Sequence, residues 1–237
     1  MRIKTVSGRN LLTISSSNPM EITIKNLYKA VKNPIRSFRI FKAFLRGLFY
    51  IIYYRIIKGN SVRIKFPFWA FYKVKIVGPG SVFIDKNCRV MKNLYQGLTI
   101  VTFSKNAKVK IGKKCSLGGL TIYCHHKIEI KDYTMTANSL VQDNLLCHIK
   151  MVKSLIKEKV LRPKPVIIGK NVWLGMLSCV LSGSIIGDYS VISIGSVCYD
   201  LKVKEYHLAI GNLVKRLLPI EHLLLLQRKN ERLDCEN

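Results

Sequence analysis

The sequence predicts a three-sided parallel β-helix, a prism wound from short strands, with an amphipathic helical segment before it and a short helix after it. Three observations predict this. Aliphatic residues recur every sixth position at Ile168, Leu174, Val180, Ile186 and Ile192. Four places after each stands a small residue: Val172, Ser178, Ser184, Ser190 and Ser196. The chain has 237 residues, 49% of them hydrophobic, enough to fill a sizeable core in one main domain with appendages. A period of six matches neither the 3.6 of a helix nor the alternation of a half-buried strand. Fixed self-similarity of this length is the signature of a solenoid built from hexapeptides.

Residues 1–60 form the first segment. Within them, 25–57 reads as helical, with Asn33 and Pro34 in the cap and first-turn positions of a second helix and Gly59 as its stop. Lys25, Lys29, Lys32, Arg36 and Arg39 step by three and four onto one face, while Val31, Ile35, Phe38, Leu45, Phe49 and Ile52 occupy another. Arg46 and Arg55 leave too short an apolar run to span a bilayer, which takes about 20 residues. Two placements fit this pattern: flat in the headgroup plane of a membrane with Lys and Arg towards anionic lipid, or packed on the chain's own domain with a solvated basic face.

The prism is expected over 61–212. Each hexapeptide supplies one flat strand and one corner, and three of them, 18 residues, complete a coil. The aliphatic residue points inwards, the following Gly tolerates corner conformations that a side chain would penalise, and the small residue fits the narrow interior. Earlier coils begin at Ile84, Ile111 and Ile130, with Cys88, Cys115 and Thr134 in the small position. From Ile130 to Ile168 is 38 residues, one coil and a surplus of about 20, so a loop must leave the prism. Its expected extent is 143–165, where the register disappears and RPKP stiffens the return. Residues 213–237 are expected to form a helix after Pro219 and a polar tail that covers the end of the prism.

Composition bounds the partners. Forty Lys and Arg against 13 Asp and Glu give a formal charge of +27, a field that attracts polyanions without choosing among nucleic acid, anionic lipid and phosphorylated ligands. No nucleic-acid-binding motif accompanies it, and none is expected as a partner. Seven cysteines form no CxxC pair and the N-terminus MRIKTVSGRN lacks an apolar signal core, which predicts a reduced, cytoplasmic setting with the thiols as small buried hydrophobes.

PKPVIIGKNVWLG, then VLSGSIIGDYSVISIGSV and AIGNLVKRL, resemble the hexapeptide-repeat acyltransferases with a left-handed β-helix, in particular the sugar O-acetyltransferase and surface-polysaccharide branch. The resemblance covers 163–217 strongly and 74–142 loosely. It implies acetyl-CoA as acyl donor, no metal, a homotrimer, and active sites in clefts between neighbouring prisms. A histidine in the protruding loop that follows an Asp is also implied. In QDNLLCHIK this makes His148 the general base and Asp143 the group that orients it, at a spacing longer than the usual D-x-D-x-H. Chemically one imidazole suffices, since it can take the hydroxyl proton as the oxygen attacks a thioester.

For the donor, Trp173 and Gly175 match the branch's VWIG, Ser178 leaves room for a pantetheine arm, and Lys215 and Arg216 follow GN as the branch's basic position does, although Leu213 and Val214 replace its Pro-Ala. Trp173 as simple corner packing remains open. His125 and His126, adjacent on a strand, are expected to be structural. The function expected is acetyl transfer to a sugar hydroxyl of a surface polysaccharide or its precursor, by a cytoplasmic enzyme held peripherally on the inner membrane face. An amino-sugar N-acetyltransferase and an inactive scaffold of the same fold are the alternatives.

Overall fold

The structure, a computed structural model, describes residues 34–93, 96–144 and 162–220. Contacts divide the chain into Met1–Arg39 and Ile40–Asn237. Of the first unit only the opening of one helix is described. That helix, α1, spans Pro34–Lys58. Proline suits its first position because the missing N–H has no helical partner there anyway, and Gly59, at φ +56°, ends it.

Strands then wind in groups of three. The first coil holds β1 (Val62–Ile64), β2 (Phe68–Ala70) and β3 (Val74–Val77); the second β4 (Ser81–Ile84), β5 (Cys88–Met91) and β6 (Leu98–Thr102). The third holds β7 (Lys108–Ile111), β8 (Ser116–Gly118) and β9 (Thr121–Cys124); the fourth β10 (Lys127–Ile130), β11 (Met135–Ala137) and β12 (Leu140–Gln142). Next come β13 (Val166–Ile168), β14 (Trp173–Leu174) and β15 (Cys179–Val180), then β16 (Ile185–Ile186), β17 (Val191–Ile192) and β18 (Val197–Cys198). The last coil has β19 (Lys202–Val203) and β20 (His207–Ile210), and β21 (Arg216–Pro219) turns back antiparallel onto β20.

Each third strand joins the same wall, giving three sheets that are parallel apart from β21: wall A from β1 to β19, wall B from β2 to β21 and wall C from β3 to β18. In-register pairing stacks Ile64, Ile84, Ile111, Ile130, Ile168, Ile186 and Val203 in one column on wall A. Ile168, Leu174, Val180, Ile186 and Ile192 are all buried, as their spacing requires. Ile130 pairs directly with Ile168, so the 38 residues between them are one coil plus an excursion at the corner between walls C and A. A second departure, bridged by Asn93 and Gln96, lengthens the coil between Ile84 and Ile111 and had no repeat signal.

The corners differ from expectation in one respect. The left-handed residue is the third after the inward aliphatic: Asn87, Lys114, Tyr133, Asn171 and Tyr189 all have φ between 55° and 63°. The glycine directly after the aliphatic is there for space instead. A Cβ on Gly112 or Gly169 would meet Asp132 Oδ1 at 2.4 Å or Asp188 Oδ1 at 2.6 Å in the next coil. Those two carboxylates accept hydrogen bonds from the backbone N–H of Lys113 and Lys170. Residues in the small position tie coils together internally: the Cys88 thiol, the Cys115 thiol and the Thr134 hydroxyl donate to the carbonyls of Gly112, Lys131 and Gly169. Burial pushes the Cys198 thiol up to about 12, which keeps it protonated.

From residue 40 onwards, α1 closes the open end of the first coil. Ala43 and Tyr54 are buried, and a Cβ on Gly47 would lie 1.8 Å from the Phe68 carbonyl oxygen. The Tyr54 hydroxyl donates to the Val74 carbonyl and accepts from the Ile76 N–H, while the Tyr50 hydroxyl accepts from the Val74 N–H. The free edge of β3 thus finds its partners on a helix. At the other end, β21 covers the edge of wall B. The remainder of the expected C-terminal helix, 221–237, lies outside the described residues.

Candidate active site

The corner where wall C passes to wall A carries the excursion. β12 ends at Gln142, and Asp143 follows with no solvent exposure. Its Oδ1 accepts from the His125 N–H at 2.7 Å, and its Oδ2 accepts from the His126 and Lys127 N–H groups at 2.6 and 2.8 Å. The Cys124 thiol donates to the same Oδ2 at 3.4 Å. Asp143 therefore fills a nest of three successive backbone amides in the coil below. Burial alone would raise its pKa; the hydrogen bonds donated by the His125 and His126 amides outweigh this and hold the carboxyl below its usual range. Burial and the Asp143 charge push the Cys124 thiol the other way, upwards.

His125 packs over this carboxylate. Its ring stacks on Phe103 at 4.4 Å between centroids, and its Nδ1 stands 3.8 Å from Asp143 Oδ1, too far for a hydrogen bond. That nitrogen is buried without a hydrogen-bond partner among the described residues. His126 next to it is exposed; against expectation the two histidines are not on a strand but make the bend between β9 and β10. The 18 residues separating Asp143 from His125 are one coil. That offset was the signal linking them, and the sequence reading did not use it.

The return of the excursion is fixed at the same corner. The Lys164 N–H donates to the Asp143 carbonyl at 3.0 Å and to the Ser182 hydroxyl at 3.1 Å. Its ammonium pairs with Asp200 at 2.7 Å. His148, expected as the base, lies outside the described residues, as do 145–161 in general.

The other expected residues stand on other faces. Trp173 is half-exposed on wall B, its backbone paired to Ser190. Gly175 opens the corner from B to C, where a Cβ would meet the Ile192 carbonyl at 2.7 Å. Ser178 closes that corner through its N–H to the Gly175 carbonyl, and its buried hydroxyl reaches Ser139 inside the prism, so its side chain lines the interior and not an outer groove. Lys215 and Arg216 are exposed at the start of β21. The structure thus joins Trp173, Gly175 and Ser178 in one stretch of coil and Asp143 with His125 in another. Among the described residues no group of three or more His, Cys, Asp and Glu could hold a metal.

No protein-family model matches the chain, and no curated protein does. Among solved structures 23 chains match. One is a point mutant of AntD, an N-acyltransferase from Bacillus cereus, in complex with dTDP and coenzyme A, at 17% identity and a TM-score of 0.50 over 78% of this chain and 96% of that one. The chain shares that fold. The polySia-specific acetyltransferase NeuO also matches, at 18% identity and a TM-score of 0.48 over 68% of this chain and 72% of that one. At these identities the likeness concerns the solenoid alone.

Proposed function

We propose that the protein is an acetyl-CoA-dependent O-acetyltransferase that modifies a sugar hydroxyl of a surface polysaccharide or its precursor. The observation that carries this is the long excursion between Asp143 and Lys164, tied at both feet to a corner holding an ionised, buried carboxylate and an imidazole, on a solenoid that AntD shares. AntD holds coenzyme A in its structure, which supports that molecule as donor here. His148 takes the proton of the sugar hydroxyl as its oxygen attacks the thioester carbonyl, and the departing coenzyme A thiolate receives a proton in turn. A backbone N–H faces the developing oxyanion. Asp143 holds the corner from which the excursion departs.

Lys215 and Arg216 provide exposed cations for the phosphates of the donor, Trp173 and Gly175 its flanking surface, and Ser178 the support behind Gly175. The active unit is a homotrimer, a reading supported by the exposed apolar side chains of Met135, Trp173, Leu177, Ile194 and Leu213. The setting proposed with it is the cytoplasm, with peripheral attachment to the inner membrane face through the basic helices of 25–57. No described helix is long and apolar enough to cross a membrane.

One observation favours a second reading of the base: His125 is the histidine that stands beside Asp143. Transfer from labelled acetyl-CoA to a panel of cell-envelope glycans, read for wild type, His148→Ala and His125→Ala, decides between them. Turnover lost in His148→Ala with an unchanged melting temperature supports the first. Loss in His125→Ala alone moves the base to the corner, label on an amino sugar makes the enzyme an N-acetyltransferase, and no transfer by the wild type leaves an inactive scaffold.

A further inference from the structure

Helix α1 uses its two sides differently. Ala43, Gly47, Tyr50 and Tyr54, at helical spacing, face the edge of the first coil. The side turned away carries Phe41, Leu45, Leu48, Phe49, Ile52 and Ile56, at spacings of three and four that also lie on one face. These are large and open: Phe41 is 57% exposed, Phe49 58% and Ile56 77%. An uninterrupted apolar stripe on the outside of a helix already anchored by its other side has no structural task in the prism.

Charge identifies the occupant. Lys42 and Arg55, both exposed, border the stripe on either side. No Asp or Glu occurs from residue 22 to residue 84. A second copy meeting this face with its own α1 would set Lys42 and Arg55 against the same cations with no carboxylate between them, whereas a bilayer with anionic headgroups offers an apolar layer beneath a negative surface. The helix cannot cross, so it lies in the interfacial plane.

We propose that the outer face of α1, Phe41 to Ile56, inserts into an anionic lipid surface while its inner face remains the plug of the prism, so that the solenoid stands with its first coil against the membrane. The proposal rests on α1 alone and names the contact surface for the attachment proposed above. It survives if the acetyl-transfer reading fails, because its test contains neither donor nor acceptor.

Full-length protein is floated with vesicles of phosphatidylcholine mixed with phosphatidylglycerol, and with phosphatidylcholine alone. Wild type is expected to float with the mixed vesicles only and to be released by high salt. Leu45→Gln, Ile52→Gln and Ile56→Gln combined should reduce partition by at least about ten-fold, with an unchanged melting temperature because all three are exposed. Lys42→Gln with Arg55→Gln should reduce it by roughly five-fold per charge at low salt, and this pair keeps the test valid if the triple variant does not fold. Wild type that ignores anionic vesicles overturns the proposal, as does binding that neither set of substitutions weakens. Self-association that the triple variant abolishes, without lipid binding by the wild type, assigns the stripe to a second copy and overturns it equally.

Discussion

Replacing Asp143 by Asn tests whether the amide nest at the excursion corner is held by charge. The substitution keeps the shape and removes one acceptor. Asn can turn its carbonyl oxygen towards the His126 and Lys127 N–H groups, now held by Oδ2 at 2.6 and 2.8 Å, but its NH2 then faces the His125 N–H donor to donor. A hydrogen bond to a charged group contributes about 1.5–3 kcal/mol, and an unsatisfied buried donor costs about 1–3 kcal/mol. One bond lost, two weakened and one donor orphaned give a destabilisation of about 3–5 kcal/mol, the range for breaking a buried ionic site by removing one partner.

The pH dependence has a definite sign. Because the folded pKa of Asp143 is depressed, its contribution is fully present above the unfolded value of about 3.9 and is lost as pH falls through the folded value. Wild-type stability should therefore rise with pH across the acid range, and Asp143→Asn should remove that part of the rise. Denaturant titration from about pH 2 to about pH 5, the window in which a depressed carboxylate gives up its contribution, measures the global effect; hydrogen exchange at the amides of residues 125–127 reads the local one, since repeat proteins can unfold in parts. Equal stability together with equal protection of those amides in the variant would refute the reasoning.

Other sites give sharper single numbers. Ile168→Ala, in the middle of the wall A column, should cost about 2–5 kcal/mol by denaturant titration. Tyr54→Phe removes one hydroxyl that both donates to Val74 and accepts from Ile76, and should cost about 1–3 kcal/mol and free the Ile76 amide to exchange. Gly47→Ala places a methyl 1.8 Å from the Phe68 carbonyl, so α1 must lift from the first coil; light scattering should report aggregation through the uncovered β3 edge, and a soluble variant with wild-type stability contradicts the cap.

The walls of the prism were legible down to the direction of single side chains. An aliphatic residue every six positions is enough to say that Ile168 and Ile186 point inwards, because in-register stacking leaves them no other solution. The corner glycines were legible as special, but not for which reason: Gly169 is required by Asp188 of the next coil, a contact visible only once the coils are aligned. Amphipathicity in 34–58 was legible too. Which side packs was not, since Ala43 and Gly47 bury little area and act by letting backbones approach, while Leu45, Phe49 and Ile52 look like a core face and stand outside. At the excursion corner, Asp143 was singled out through its resemblance to a motif, whereas its hold on residues 125–127 is written in the 18-residue offset of one coil, which a local motif does not show.

Because the Lys164 amide is bonded to the Asp143 carbonyl, the chain re-enters the wall where it left it. Those two residues are thus held together by the wall itself, and closing a longer loop between such fixed points costs only about 0.6 kcal/mol per doubling of length. A solenoid can therefore accept inserts of different length at that corner while the rungs above and below keep their alignment.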